Sequence, residues 1–190
     1  MRSPRNSIFT LALLACATFS LAQAAPSAID NAFVQKQFGS SCAVIPGLNS
    51  MVADMNGDGV DDIVIPAHCK NPMMDQSEYD FLAIDPYDTF FGYGNTKITS
   101  GFGSDDPDRK GIVLLVIHGQ GKDAWRAEKP KAKFLIINFP YKEVSVKKLK
   151  IKKKTVQAIY AVETSADGMN SAVFWDGKKY RYTPLGSSME

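Results

Sequence analysis

Two stretches of the chain carry apolar residues without interruption, Ile112-Val113-Leu114-Leu115-Val116-Ile117 and Phe134-Leu135-Ile136-Ile137. Aliphatic runs that lack alternation predict strands covered on both faces, here two neighbours at the centre of a sheet. Ile63-Val64-Ile65 is a shorter β-branched run of the same kind, and Ser50-Met51-Val52-Ala53 ahead of it also reads as a strand. From Tyr141 onward the pattern changes. Val144 and Val146, then Leu149 and Ile151, then Val156, Ala158, Tyr160 and Val162 skip every second position, which predicts an antiparallel meander. Residues 165–170 supply a turn, and Asp176-Gly177 after the run Ser171 to Trp175 predicts a two-residue hairpin that sets Trp175 opposite Lys178 and Val173 opposite Tyr180. Near the other end, Ser27 to Gly39 predicts a short helix capped by Ser27, ended by Gly39, with Ile29, Phe33 and Phe38 on one face. The expected fold is therefore α+β and β-rich, a mostly antiparallel sheet with a short N-terminal helix in one domain.

The first residues alter how much of the chain belongs to that domain. Arg2 and Arg5 precede an apolar run from Ile8 to Ala22, and Ala22-Gln23-Ala24 precedes Ala25-Pro26. This is the pattern of a secretory signal at 1–24, too short for a membrane anchor, so 25–190 is the expected mature domain, secreted or periplasmic, with no transmembrane segment. Leu13-Leu14-Ala15-Cys16 also resembles a bacterial lipobox, in which Cys16 would carry lipid; the apolar run continuing to Ala22 argues against it. Cleavage after Ala24 leaves Cys42 and Cys69, and an exported chain with two thiols is expected to pair them.

Between those cysteines lies Asp54-Met55-Asn56-Gly57-Asp58-Gly59-Val60-Asp61-Asp62. Oxygen-bearing side chains at positions one, three, five and nine, with glycines that let the loop turn back, make a wrapping for a hard cation. Asp54, Asn56, Asp58 and Asp62 are the expected side-chain ligands of calcium, and Val60 would give its carbonyl. Ile65 stands where an EF-hand requires a bidentate Glu, so the loop is of another kind. Strand, D-x-N-x-D-G-x-x-D loop, strand resembles the calcium loop of FG-GAP/VCBS repeats over residues 48–66. The resemblance implies a hairpin stiffened by calcium; the single copy excludes a propeller.

Charge is unevenly placed. Residues 25–90 hold ten acids and two bases, whereas 91–190 hold ten acids and eighteen bases. Much of the excess lies in Lys147-Lys148-Leu149-Lys150-Ile151-Lys152-Lys153-Lys154. On a strand Leu149 and Ile151 share one face while Lys148, Lys150 and Lys152 share the other, as protection of an exposed strand, as a contact for a polyanion, or as a face turned toward the chain's own acidic half. The aromatic stretch Tyr79, Phe81, Tyr87, Phe90, Phe91, Tyr93 and Phe102 has two readings as well, packing onto the sheet, which is favoured, or stacking on sugar rings.

Several chemistries are disfavoured. His68 and His118 lack metal-ligand spacing, Gly119-Gln120-Gly121-Lys122 lacks the P-loop spacing, and His118-Gly119-Gln120-Gly121 has no G-x-S-x-G elbow to accompany it. No catalytic residue stands out, and no nucleic-acid-binding motif is present. The expectation is a non-catalytic interaction module with a protein or glycan partner and a structural calcium loop. The alternatives are a carbohydrate- or polyanion-binding module, and an enzyme acting on an envelope polymer.

Overall fold

Alternation hidden inside the apolar runs builds the molecule in three layers. The computed structural model describes residues 29–71, 73, 75–92, 110–139, 141–164 and 168–187. The expected leader, Cys16, Ser27, Tyr93, Phe102 and residues 165–167 of the expected turn lie outside these residues. Strands β1 (Cys42–Val44), β2 (Met51–Ala53), β3 (Asp62–Cys69), β4 (Leu82–Ile84), β5 (Ile112–His118) and β6 (Ala132–Ile136) form one sheet in the order β1-β3-β5-β6-β4, with β2 sharing the β1 edge of β3. All its pairs are antiparallel except β4 with β6. Odd-numbered residues such as Ile63, Ile65, Val113, Leu115, Ile117 and Leu135 pack on one side against helix α1 (Asn31–Phe38), through Val34 and Phe38. Even-numbered Val64, Leu114, Val116, Phe134 and Ile136 point to the other side. The central position inferred for both runs holds, and two covered faces are the reason neither alternates.

The second sheet is the expected meander: β7 (Glu143–Ile151), β8 (Lys154–Val162), β9 (Met169–Trp175) and β10 (Tyr180–Ser187), neighbours in sequence order. Val144, Val146, Ile159, Ala161, Val173, Tyr180 and Tyr182 close the core between the two sheets. The short helices α2 (Gln76–Tyr79) and α3 (Pro86–Phe90) flank β4 in the chain. Phe81 is buried against Phe38, while Tyr87, Phe90 and Phe91 cluster on Tyr182. The aromatic segment thus packs onto the sheets, with Phe90 and Phe91 left half exposed at 49% and 50%.

Three local expectations change. Helix α1 starts later than Ser27: Asp30 is its cap, accepting from the Phe33 N–H at 2.8 Å. The last hairpin is two residues longer than a type I′ turn, because Trp175 pairs with Tyr180 and Val173 with Tyr182. Its cause is the Asp176 side chain, whose Oδ1 accepts the N–H groups of Lys178 and Lys179 while Oδ2 accepts from Arg181 Nε. These bonds favour a four-residue loop over the tighter turn. Lys152, finally, is not on a strand face. It sits in the β7–β8 turn with a φ of 54°, so only Lys148 and Lys150 share the face expected of all three.

Candidate functional site

The acidic loop joins β2 to β3 as a hairpin, Ala53 pairing with Asp62. Gly57 and Gly59 take φ values of 77° and 84°, the left-handed turn that a Cβ would resist. Inside the loop Asp54 accepts three backbone N–H groups, from Gly57, Asp58 and Gly59, at 2.8–3.0 Å. Asn56 Oδ1 accepts from Asp58 N and Asp58 Oδ1 from Val60 N. The sequence places carboxylates at alternate positions, and the chain folds around them because each one satisfies N–H groups that a tight loop cannot pair with its own carbonyls.

Asp62 behaves differently from its three expected co-ligands. It is fully buried, and its oxygens accept from Met55 N at 2.8 Å, Asn56 N at 3.2 Å and Gly119 N at 2.7 Å. Burial pushes its carboxyl up to about 6, against those three donors, which lower it. Asp62 therefore ties the first residues of the loop to the end of β5. Gly119 is required there, since a Cβ would collide with the backbone of Asp61, Ala124 and Trp125. Met55 adds an apolar anchor, buried in the core between the sheets. The turn at His118-Gly119 thus has a structural partner, one that local pattern cannot reveal because the two ends are 57 residues apart.

A cation is already close to the loop. Lys131 Nζ lies 2.6 Å from Asp58 Oδ2, in an ion pair half open to solvent. The ammonium's hydrogen bond holds the Asp58 carboxyl below its ordinary value, against a small burial effect. No group of three or more His, Cys, Asp or Glu side chains is gathered to hold a metal among the described residues. What the loop does bring together are hard oxygen donors, Asp54, Asn56 and Asp58, and these match calcium in kind. The Asn56 Nδ2 is buried with no hydrogen-bond partner in the structure.

Behind the loop lies a buried polar pair, His118 Nε2 and Tyr180 Oη, 2.8 Å apart and enclosed by Phe134 and Trp175. Burial pulls the imidazole down to about 4, with Lys131 acting in the same direction. His118 is consequently neutral at ordinary pH and serves as a hydrogen-bonding core residue.

In front of the loop is a cleft of about 860 Å³. One wall is the loop itself, through Asp54, Asn56 and Gly57. The facing wall is the end of the β7–β8 hairpin, with Lys148, Lys152, Lys153, Lys154 and Gln157, and Trp175 lies between. This placement follows from a change of phase in β7. Val144 and Val146 bury even positions in the core between the sheets, whereas Leu149 joins a cluster with Ile151, Val156, Ala158, Tyr160, Ala172 and Phe174 on the opposite face. Pairing with β8 runs without a bulge from Glu143–Val162 to Ile151–Lys154. Lys148 and Lys150 therefore occupy the face of Val144 and Val146, where the hairpin runs past the core. The spacing of three between Val146 and Leu149 was the sequence signal for this switch. Lys131 had no such signal, being 73 residues from Asp58.

Cys42 and Cys69, directly opposite each other on β1 and β3, form the expected disulfide, with Cα atoms 4.0 Å apart. It clamps the end of β3 far from the loop, as Asp62 clamps the near end. No helix among the described residues is long and apolar enough to cross a membrane. No family model matches the chain, and neither a curated protein nor a solved structure shows significant similarity to it.

Proposed function

We propose that the protein is an exported, non-catalytic interaction module whose Asp54–Asp62 loop takes calcium as a structural ion. The observation that carries this reading is the gathering of Asp54, Asn56 and Asp58 on a loop whose two ends are held by Asp62 and the Cys42–Cys69 bond. Asp54, Asn56 and Asp58, with the Val60 carbonyl, would hold the ion, and calcium would supply two positive charges against their carboxylates. Water would complete a shell of about six to eight oxygens. Asp62 acts from behind, fixing the backbone of Met55 and Asn56 through its hydrogen bonds. Export is supported by the disulfide, which persists in oxidising compartments.

The test is thermal melting of the oxidised protein in EDTA and in about 2 mM calcium, with Asp58→Ala in parallel. Binding to the native state alone, at about a hundred times Kd, adds roughly 2.7 kcal/mol. A rise of several degrees that Asp58→Ala lacks is the expected result. An unchanged melting point in both proteins would remove calcium from the reading.

A further inference from the structure

We propose that the cleft between the acidic loop and the β7–β8 hairpin binds a short acidic saccharide. This rests on the reading of the protein as a binding module, though not on calcium occupying the loop. Four observations lead there. The volume, about 860 Å³, lies within the range of ligand sites and exceeds what a packing defect leaves. Its charge is cationic, since Lys148, Lys152, Lys153 and Lys154 line it against Asp54 and Asp176, and Asp176 is already paired with Arg181 at 2.6 Å. Its neutral polar groups are amides and a hydroxyl, Asn56, Gln157 and Thr155, which suit sugar hydroxyls.

The fourth observation is Trp175. It is half-buried, packed edge-on to His118 and against Phe134 and Tyr180, and it also lines the cleft. A ring fixed on one side and open on the other offers a stacking platform with little ordering left to do on binding. Lysines supply attraction for carboxylates without fixing their geometry, while the amides and Trp175 select the ring. An anionic membrane would instead call for lysines on a surface free of an opposing wall, and here Asp54 and Gly57 face them across the cleft.

The acidic loop adds a condition. Asp54 carries negative charge into the same cleft, so any cation held by the loop lowers the repulsion an acidic ligand meets there. Ligand affinity should rise when calcium is present.

The experiment is calorimetric titration of the oxidised protein with a glucuronate-containing hyaluronan tetrasaccharide, with chitotetraose as its neutral counterpart. Vesicles containing phosphatidylglycerol and a short single-stranded DNA are the other arms. The indole N–H signals of Trp175 and Trp125 are followed by NMR and assigned with Trp175→Phe. Expected are binding of the acidic saccharide over the neutral one and movement of the Trp175 signal with Trp125 unmoved. Affinity should fall about tenfold or more in Lys148→Ala/Lys154→Ala, and salt should weaken it further. Lys36→Ala, on α1, should bind as the parent does. Equal binding of the two sugars, no binding at millimolar saccharide, or a response to vesicles or DNA alone would each overturn the proposal. Saccharide binding in EDTA separates this outcome from the calcium melting test. A double variant that no longer melts cooperatively is replaced by Lys148→Gln, read on the same titration.

Discussion

The two walls of the cleft are held by different physics. On the loop side, β3 is clamped at both ends, by the disulfide at Cys69 and by Asp62, whose carboxylate binds three backbone N–H groups away from water. On the lysine side, the end of the β7–β8 hairpin has exposed Lys148, Lys150, Lys152, Lys153 and Lys154, and its ordering comes from the β ladder and from Leu149 with its neighbours on the opposite face. One wall is fixed through buried polar bonds and a covalent link; the other is fixed through pairing and apolar contact while its charges remain in water. Substitutions should therefore cost stability on the first wall and affinity on the second.

The largest effect is expected at Asp62. Asp62→Ala leaves the N–H groups of Met55, Asn56 and Gly119 without their acceptor, at about 1–3 kcal/mol for each one that stays buried. A loss of about 4 kcal/mol in urea unfolding is predicted, whereas Lys150→Ala should stay within about 0.5 kcal/mol of the parent. Similar small losses in both would erase the contrast between the walls.

His118 gives the loop side a pH dependence that the lysine side lacks. Its imidazole is lowered from 6.5 to about 4 by burial, so the unfolded chain binds the proton first. The neutral form's contribution is full above about pH 6.5 and declines as pH falls toward 4, by roughly 3 kcal/mol in all. Asp62 and Asp85, each raised to about 6 chiefly by burial, act oppositely: they lose stability as pH rises through that range. The parent protein thus carries opposing slopes, and His118→Gln should remove the acid-sensitive one. Unfolding free energies at pH 4 and pH 7 would show it as a change on acidification roughly 3 kcal/mol more favourable in the variant than in the parent; an identical change in both would place the proton elsewhere.

The disulfide is next. Replacing Cys42 and Cys69 together by Ser opens a link across a separation of 27 residues, worth about 3 kcal/mol in the chain-entropy model. The smallest effect concerns the ion pair of Lys131 with Asp58. Since the pair is exposed to solvent, its contribution to stability is small. Lys131→Met should tighten calcium by a few-fold at most, because the ammonium and the ion compete for one carboxylate. Weaker calcium binding in this variant would make Lys131 a supporting group instead.

Much of this architecture could be read along the chain. The two uninterrupted runs, the strands around the acidic loop, the meander and the partner cysteines all follow from local pattern, because burial on two faces, one face or none leaves a distinct period. The turn at Asp176 is two residues longer than its sequence suggests, since Asp-Gly also suits a two-residue turn and only the bonds of the Asp176 carboxylate favour the longer loop. Pattern alone puts Lys152 on a strand face, because nothing in a run of lysines marks where the hairpin turns.

What the sequence determined by itself was therefore the set of elements and the chemical kinds of residue on them: hard oxygens in a glycine loop, lysines on an edge strand, two cysteines to join. Tertiary structure alone decided that the loop and the lysines face each other across one cleft, that Trp175 lies between them, and that Asp62 serves the core. These are relations between residues far apart in the chain, fixed by how two sheets stack and where a hairpin runs past their core. A buried carboxylate and a ligand look alike in sequence, for both are an Asp in a turn, and they part only when the fold determines which N–H groups or ions lie within reach.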